Sequence, residues 1–381
     1  MASISGWTKR TAGRQDPGAR RWLRVLTLAL VLAVASPVPG GAAPSAQDDP
    51  LDYTGAGALV LGASAIKVRD CAGFDCDSVG TLTVGEHVTV TGLEEDGFLP
   101  VESDATGLAG YAYALYISID GLPAPWLEQG PAGCNRVALA FNIGVGEPFD
   151  YGILDTLQEW EVPATFFAMG WTTDRDPDTV RAIADAGFPI GTHGYDAIDL
   201  PTTGDYDVVA DLQASIESIR AVAGDSWVPY ATPFAASTDE RVRTLISGQG
   251  LMPVGWRVPA DDYAIDADPN AIWDRVVPNA YDGAIIEMHI DAPNSAASTG
   301  VALPWVIEAL QEQGYEFVTV PDMALPCGVT TADLDADIAS ESGTPTAGTP
   351  AAGTPATGTP AAATPEADAR RDETAGTEPA G

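Results

Sequence analysis

Two of the three histidines in this 381-residue chain stand near acids at the ends of apolar runs. In "AIIEMHID", Glu287, His289 and Asp291 share one parity, so all three fall on one face for as long as a strand lasts. His193 lies in "FPIGTHG", and "LMPVGWRV" leads into Asp261-Asp262-Tyr263. Carboxylates beside an imidazole can move protons, and with further ligands they can hold a metal. The run "RVALAFNIGVG" ends differently, at Asn142-Ile143, one weak polar group and one aliphatic. Asn142 has no titratable proton acceptor, so it cannot serve as a general base. Glu287 on an inward face costs free energy unless partnered, and His289 or His193 is its expected mate.

Positioning these residues requires alternating strands and helices. The strand candidates are "RVALAFN", "PATFFAMG", "FPIGTHG", "WVPYATPF", "LMPVGWRV", "GAIIEMHI" and "YEFVTV". Between them, stretches such as "DPDTVRAIADAG" and "YDVVADLQASIESIRAVAG" space apolar residues at helical intervals and end in glycine. The alternation predicts an α/β domain with parallel strands and covering helices, a (β/α) barrel or open sheet, over residues 134–327. In a barrel the strand ends meet at the C-terminal mouth.

The motifs in this order resemble the NodB-homology polysaccharide deacetylase family. "VPATFFAMG", "DPDTVRAIADAGFPIGTH" and "AIIEMHID" are similar to its second strand, its helix into strand three and its sixth-strand motif. The resemblance implies a distorted (β/α) barrel that removes N- or O-acetyl groups from chitin-like, peptidoglycan or other polysaccharides. It also implies a divalent metal on one Asp and two His, beside an Asp base and a His acid. Residue by residue, little of that set is present. The base falls on Asn142 and the ligand Asp on Ile143; the first ligand His is His193 and the second falls on Ala197. The arginine expected in "YATPF" is Ala231, and the family's Asp-Trp pair resembles Asp262-Tyr263. His289 matches the acid, and the leucine two residues before it, which lines the acetyl pocket, is Glu287.

One imidazole cannot hold a catalytic metal, which normally takes three protein ligands and an open water position. Without metal or base, water at neutral pH is too weak a nucleophile for an amide. The reading is therefore a catalytically degenerate barrel that binds polysaccharide or peptidoglycan and has no cofactor. His289, Asp262 and Glu287 are its catalytic remnants. His193, Asn142, Tyr195, Phe234 and Tyr263 are its binding groups, with His193 a hydrogen-bonded relic. One alternative is a divergent carbohydrate deacetylase, a hydrolase of non-peptide C–N bonds, whose site is rebuilt on Glu287, His289, His193 and Asp262 with a divalent metal such as zinc. Another is a structural surface protein.

Residues 57–118 are β-branched and apolar runs broken by Gly and Asp, which predicts a small all-β barrel. "AIKVRDCAGFDCDSVGTLTVGEHVTVTG" and "GLAGYAYALYIS" resemble a bacterial SH3-like (SH3b) domain, a type that commonly binds cell-wall peptides or glycans. His87 in "GEHVTV" is expected to face solvent. A Pro/Gly-rich linker follows over 119–133.

Residues 1–43 read as a signal peptide, a basic segment followed by the apolar run "VLTLALVLAVA" and small residues. "RRWLR" resembles a twin-arginine signal, the alternative being general secretion. The apolar run is too short to span a bilayer, so no membrane span is expected after cleavage. The protein is expected to be secreted or at the cell surface. The signal carries six basic residues and one acid, Asp16, so removing it takes the formal charge from −36 to −41. Such a chain repels nucleic acid and anionic lipid, which excludes both as partners.

Four cysteines permit three pairings, of which Cys71–Cys76 with Cys134–Cys327 is the most economical in an exported protein. From residue 328 to 381 a period-five "GTPAA"-like repeat predicts a disordered Thr/Pro-rich tail, an O-glycosylated stalk or a plain spacer.

Overall fold

The computed structural model describes residues 52–331. The expected signal peptide and the expected tail beyond residue 331 lie outside the described residues. No described helix is long and apolar enough to cross a membrane.

The β-rich N-terminal stretch forms seven short strands: β1 (Gly57–Val60), β2 (Ala65–Arg69), β3 (Ser78–Thr83), β4 (His87–Val90), β5 (Phe98–Ser103), β6 (Ala109–Tyr113) and β7 (Ile117–Ile119). They pair antiparallel in the order β3-β2-β6-β5-β4-β1-β7. The Cys71–Cys76 disulfide closes the loop between β2 and β3. That loop sets the Phe74 ring 4.9 Å from both Phe98 and Tyr113. His87 is exposed.

The second sheet is parallel throughout. Its strands are β8 (Arg136–Ile143), β9 (Ala164–Ala168), β10 (Ile190–Thr192), β11 (Trp227–Ala231), β12 (Met252–Pro253), β13 (Val258–Pro259), β14 (Ala284–His289) and β15 (Glu316–Val318). They are ordered β12-β11-β10-β9-β8-β14-β13, with β15 against the start of β8. Helices α1 (Tyr151–Glu159), α2 (Gly170–Arg175), α3 (Pro177–Asp185), α4 (Asp205–Ala223), α5 (Glu240–Ser247), α6 (Pro269–Val276), α7 (Thr299–Glu312) and α8 (Val320–Met323) alternate with them. Local chemistry starts several of these helices. Asp150, Asp239 and Asp268 accept backbone N–H bonds in the first turns of α1, α5 and α6, and Pro177 and Pro269 occupy first-turn positions.

The run "LMPVGWRV" is two strands rather than one. Gly255 sits against the Trp126 ring, where an added Cβ would come within 2.2 Å of it. Leu127 takes over the local pairing, its N–H bonding Pro253 O while its own carbonyl accepts from Gly255 N. Residues 127–130 of the Pro/Gly-rich segment are thus laid along the sheet, and Gly130 N bonds Gly283 O.

Side-chain parity divides the core. Along β8, Val137, Leu139, Phe141 and Ile143 pack toward the helices, whereas Ala138 and Ala140 face inward. Along β14, Ile286 and Met288 face the helices and Ile285 faces inward. The inward cluster is shared with the small sheet. Ala58, Val60, Leu61 and Tyr116 pack with Ala138, Phe167, Tyr230 and Met252, so the two sheets share one continuous core.

Cys134 and Cys327, 193 residues apart, are joined, which fixes the start of β8 to the segment that follows α8. Order continues past the expected boundary at residue 327. Val329 packs on the inner cluster, and Thr331 N donates to Asp322 Oδ1 at 2.7 Å.

Candidate functional site

The inward parity of β8 and β14 delivers Asn142, Glu287 and His289 to the C-terminal ends of adjacent strands. The register sets His289 opposite Asn142 and Glu287 opposite Ala140. His289 Nε2 lies 3.2 Å from Glu287 Oε1, and Asn142 Nδ2 donates to the same oxygen at 3.3 Å. On its other side, His289 Nδ1 lies 2.8 Å from Asp262 Oδ1. Asp262 is fully buried and also accepts from the His289 backbone N–H at 2.9 Å and from Thr299 Oγ1, at the start of α7, at 2.7 Å.

The chain of contacts continues across the mouth. Asn142 Oδ1 accepts from Thr232 Oγ1 at 3.1 Å. His193 Nδ1 lies 2.9 Å from the Thr232 carbonyl oxygen and 2.7 Å from its hydroxyl. Because that hydroxyl hydrogen goes to Asn142, His193 carries its proton on Nδ1 and donates it to Thr232. Thr299, Asp262, His289, Glu287, Asn142, Thr232 and His193 thus form one continuous polar line, hydrogen-bonded except at the His289–Glu287 link, which is an ion-pair contact.

The two imidazoles of this line differ in charge. Burial and the neighbouring His289 charge push the His193 pKa down to about 3, so its ring is neutral. For His289, burial opposes the charged form, but the Asp262 hydrogen bond and the Glu287 carboxylate outweigh it and raise the pKa to about 9. Burial pushes Glu287 up to about 7, against the opposing pull of His289. The centre is an imidazolium flanked by the acidic side chains of Asp262 and Glu287.

A cavity of about 540 Å³ opens above this line. It is lined by Asn142, His193, Glu287 and His289 together with Trp256, Phe234 and Tyr263. The Tyr263 ring stands 5.7 Å from His289, and the Phe234 ring 6.1 Å from His193, so an aromatic flanks each end. The turn after Phe234 is strained. Ala235 and Ala236 both take left-handed backbone angles, which costs an L-residue roughly 1–2 kcal/mol each.

Two residues depart from their sequence-based placement. Tyr195 is not at the mouth: the chain turns at Gly194 (φ +85°), Tyr195 N bonds Asp211, and the hydroxyl bonds Asp174 at 3.0 Å on another face. Asp291 lies beyond the end of β14, so its parity no longer holds. It accepts from Gly144 N at 3.1 Å and Gly146 N at 2.8 Å and fixes the turn after β8. The mates of Glu287 are His289 and Asn142, and His193 is linked to it only through Thr232 and Asn142.

Three other positions lack polar side chains. Ile143 is buried toward the helices, and Ala197 presents a methyl group at the cavity rim. Ala231, by parity, packs outward with Leu200, Val208 and Leu212. Sequence reasoning missed Thr232, Trp256 and Thr299. Thr232 had a signal, since it shares the inward parity of Tyr230. Trp256 and Thr299 depend on the break between β12 and β13 and on the packing of α7.

The polysaccharide deacetylase family profile matches residues 129–254. A peptidoglycan-N-acetylglucosamine deacetylase of Bacillus cereus is 28% identical over 208 residues, covering 53% of this chain and 74% of that protein. A chitooligosaccharide deacetylase of Sinorhizobium fredii is 30% identical over 205 residues, covering 51% of this chain and 94% of its own length. Among solved structures, a wild-type CE4 family pseudoenzyme of Bacillus anthracis aligns with a TM-score of 0.50 at 20% identity. That alignment covers 70% of this chain and 92% of that one, a likeness of fold alone.

Proposed function

The chain belongs to the polysaccharide deacetylase family, and from that membership we propose that it is an exported member that binds polysaccharide without removing acetyl groups. The observation that carries the reading is the state of His289. Both of its ring nitrogens are committed to buried carboxylates, Asp262 and Glu287, so neither is available to a leaving group.

A divalent metal does not fit the residues present. The positions that the family resemblance gives to its ligands hold Ile143, His193 and Ala197. Ile143 packs toward the helices, Ala197 offers only a methyl group, and His193 has spent Nδ1 on Thr232. Among the described residues, the one group of three His, Cys, Asp or Glu atoms near enough to share an ion is Asp70, Cys71 and Cys76, and its sulfurs form a disulfide. One imidazole nitrogen is too few for a catalytic site. Asn142 supplies no base.

What remains suits binding. The cavity is of a size that takes small ligands and sugars, and it offers aromatic faces with a few convergent polar groups. The relatives are peptidoglycan and chitooligosaccharide deacetylases by name, which supports a wall or extracellular glycan as partner. The antiparallel small sheet supports the SH3-like reading of residues 57–118 and a second contact with the wall. The signal-like residues 1–43 support export to the medium or the cell surface.

Cosedimentation of the full chain with insoluble chitin and with purified peptidoglycan tests the proposal. Retention is expected on at least one polymer, falling roughly tenfold in Trp256→Ala/Tyr263→Ala, since removing aromatic anchors costs a binding site 1–2 kcal/mol or more. No retention on either polymer overturns the binding reading. A second reading, a divergent deacetylase rebuilt on Asp262, His289 and Glu287, is favoured by one observation. Glu287, at about 7, has the pKa of a general base.

A further inference from the structure

The mouth holds a buried carboxylate that its own neighbours satisfy only on one side. Glu287 is 4% exposed, and its Oε1 takes both the His289 and the Asn142 contacts. Its Oε2 has no hydrogen-bond partner among the described residues, and Glu287 lines the cavity. Oε2 is not among the enclosed unpaired atoms of the described residues, so this oxygen is open to the cavity, where a donor carried by a ligand can reach it.

The surroundings specify the charge of that donor. Asp262 and Asp291 are buried close by, and Asp261 stands at the cavity rim. Against them are the single imidazolium of His289 and Arg275, which is drawn to Asp261 at 3.2 Å. Arg175 lies elsewhere, over the Trp171 ring and bonded to the Gly146 carbonyl. Carboxylates therefore outnumber cations at the mouth, and the whole chain carries −36. A ligand carbonyl set against Oε2 would oppose acceptor to acceptor, whereas an ammonium brings three donors and a compensating charge.

We infer that the mouth recognises a glycan through an unacetylated amino sugar, whose ammonium donates to Glu287 Oε2 while the sugar ring packs on the flanking aromatics. The inference rests on the carbohydrate-binding reading and adds to it the state of the sugar nitrogen. A slender alkylammonium would leave the broad cavity between Phe234 and Tyr263 largely unfilled, whereas a hexosamine ring fills it.

Isothermal titration calorimetry of the full chain at physiological salt, with the tetramer of glucosamine and the tetramer of N-acetylglucosamine, tests it. The glucosamine tetramer is expected to bind at least about tenfold more tightly, the worth of one hydrogen bond to a charged group. Glu287→Gln is expected to abolish that preference. Equal affinities, or a preference that survives Glu287→Gln, overturn the inference; the latter is what a polycation drawn to the acidic surface would give. If neither tetramer binds, the carbohydrate-binding reading itself fails. Should Glu287→Gln not fold, as judged by near-ultraviolet circular dichroism, the wild-type protein at high salt decides. Binding at a buried carboxylate keeps its preference there, and surface attraction loses it.

Discussion

Replacing Glu287 by Gln should lower the pKa of His289 without moving its backbone. In the wild-type protein the Asp262 hydrogen bond and the Glu287 charge together raise His289 to about 9 against the cost of burial. Glu287 Oε1 stands 3.2 Å from His289 Nε2. Two unit charges at that distance interact by ~5 kcal/mol at an effective dielectric constant near 20. That figure is an upper bound, because Glu287 is itself held near half-ionisation at neutral pH. A neighbouring opposite charge typically shifts a pKa by about one to three units. The expected fall in Glu287→Gln is of that size, or about 1.4–4 kcal/mol. With three histidines in the chain, imidazole resonances can be followed singly by NMR, and His87→Gln removes the exposed one. His193, lowered to about 3, supplies a neutral internal reference above weakly acidic pH. A His289 titration curve that is the same in wild type and Glu287→Gln would refute the pairing of Glu287 with His289 Nε2.

Stability should depend on pH in a way these groups dictate. His289, raised from 6.5 to about 9, and Glu287, raised from 4.5 to about 7, each stabilise fully below the unfolded value and lose that contribution as pH rises through the folded one. His193, lowered from 6.5 to about 3, stabilises above 6.5 and loses its contribution as pH falls toward 3. The slopes of Glu287 and His193 oppose each other between 4.5 and 6.5, so the melting temperature should peak in weakly acidic solution and fall toward pH 9. Calorimetric scans across that range would show it, and a melting temperature that rises from neutral to pH 9 counts against the assignments. Asp262→Asn should destabilise by about 3–5 kcal/mol in urea, the cost of removing one partner of a buried ion pair. Asp261→Asn, next along the chain but half-exposed, should cost under about 1 kcal/mol; similar losses for the two would deny Asp262 its role. Cys134→Ser/Cys327→Ser should lose about 2–5 kcal/mol and more than Cys71→Ser/Cys76→Ser, because the first disulfide closes a far longer loop. The opposite order would contradict that reasoning.

The parity of "AIIEMHI" placed Glu287 and His289 on one face, because strand alternation is a local property. The same rule misplaced Asp291, since sequence did not show that β14 stops at His289. Tyr195 follows His193 by two residues, yet the turn at Gly194 and the hold of Asp211 on Tyr195 N carry it off the mouth. The polar bridge from Asn142 through Thr232 to His193 left only the parity of Thr232 with Tyr230 as its signal, a faint one because a threonine in an apolar run looks like strand filler. The shared core of the two sheets was also out of reach. It depends on Ala138 and Ala140 being small enough for Val60, Leu61 and Tyr116 to pack with the inner face, a contact between residues far apart in the chain. Both disulfides follow the economical pairing, and Cys134–Cys327 joins segments whose neighbours Arg136 and Leu325 also bond, at 2.7 Å.

On the proposed reading, the site keeps the shape of a deacetylase mouth without the groups that activate water. Metal content and acetate release, measured together on the full chain after loading with zinc or cobalt, test it most directly. No stoichiometric metal and no acetate from an acetylated glycan are expected. A stoichiometric metal with acetate release that stops in chelator and in His289→Ala would contradict it, and would mean that Glu287 and its neighbours form a rebuilt catalytic site.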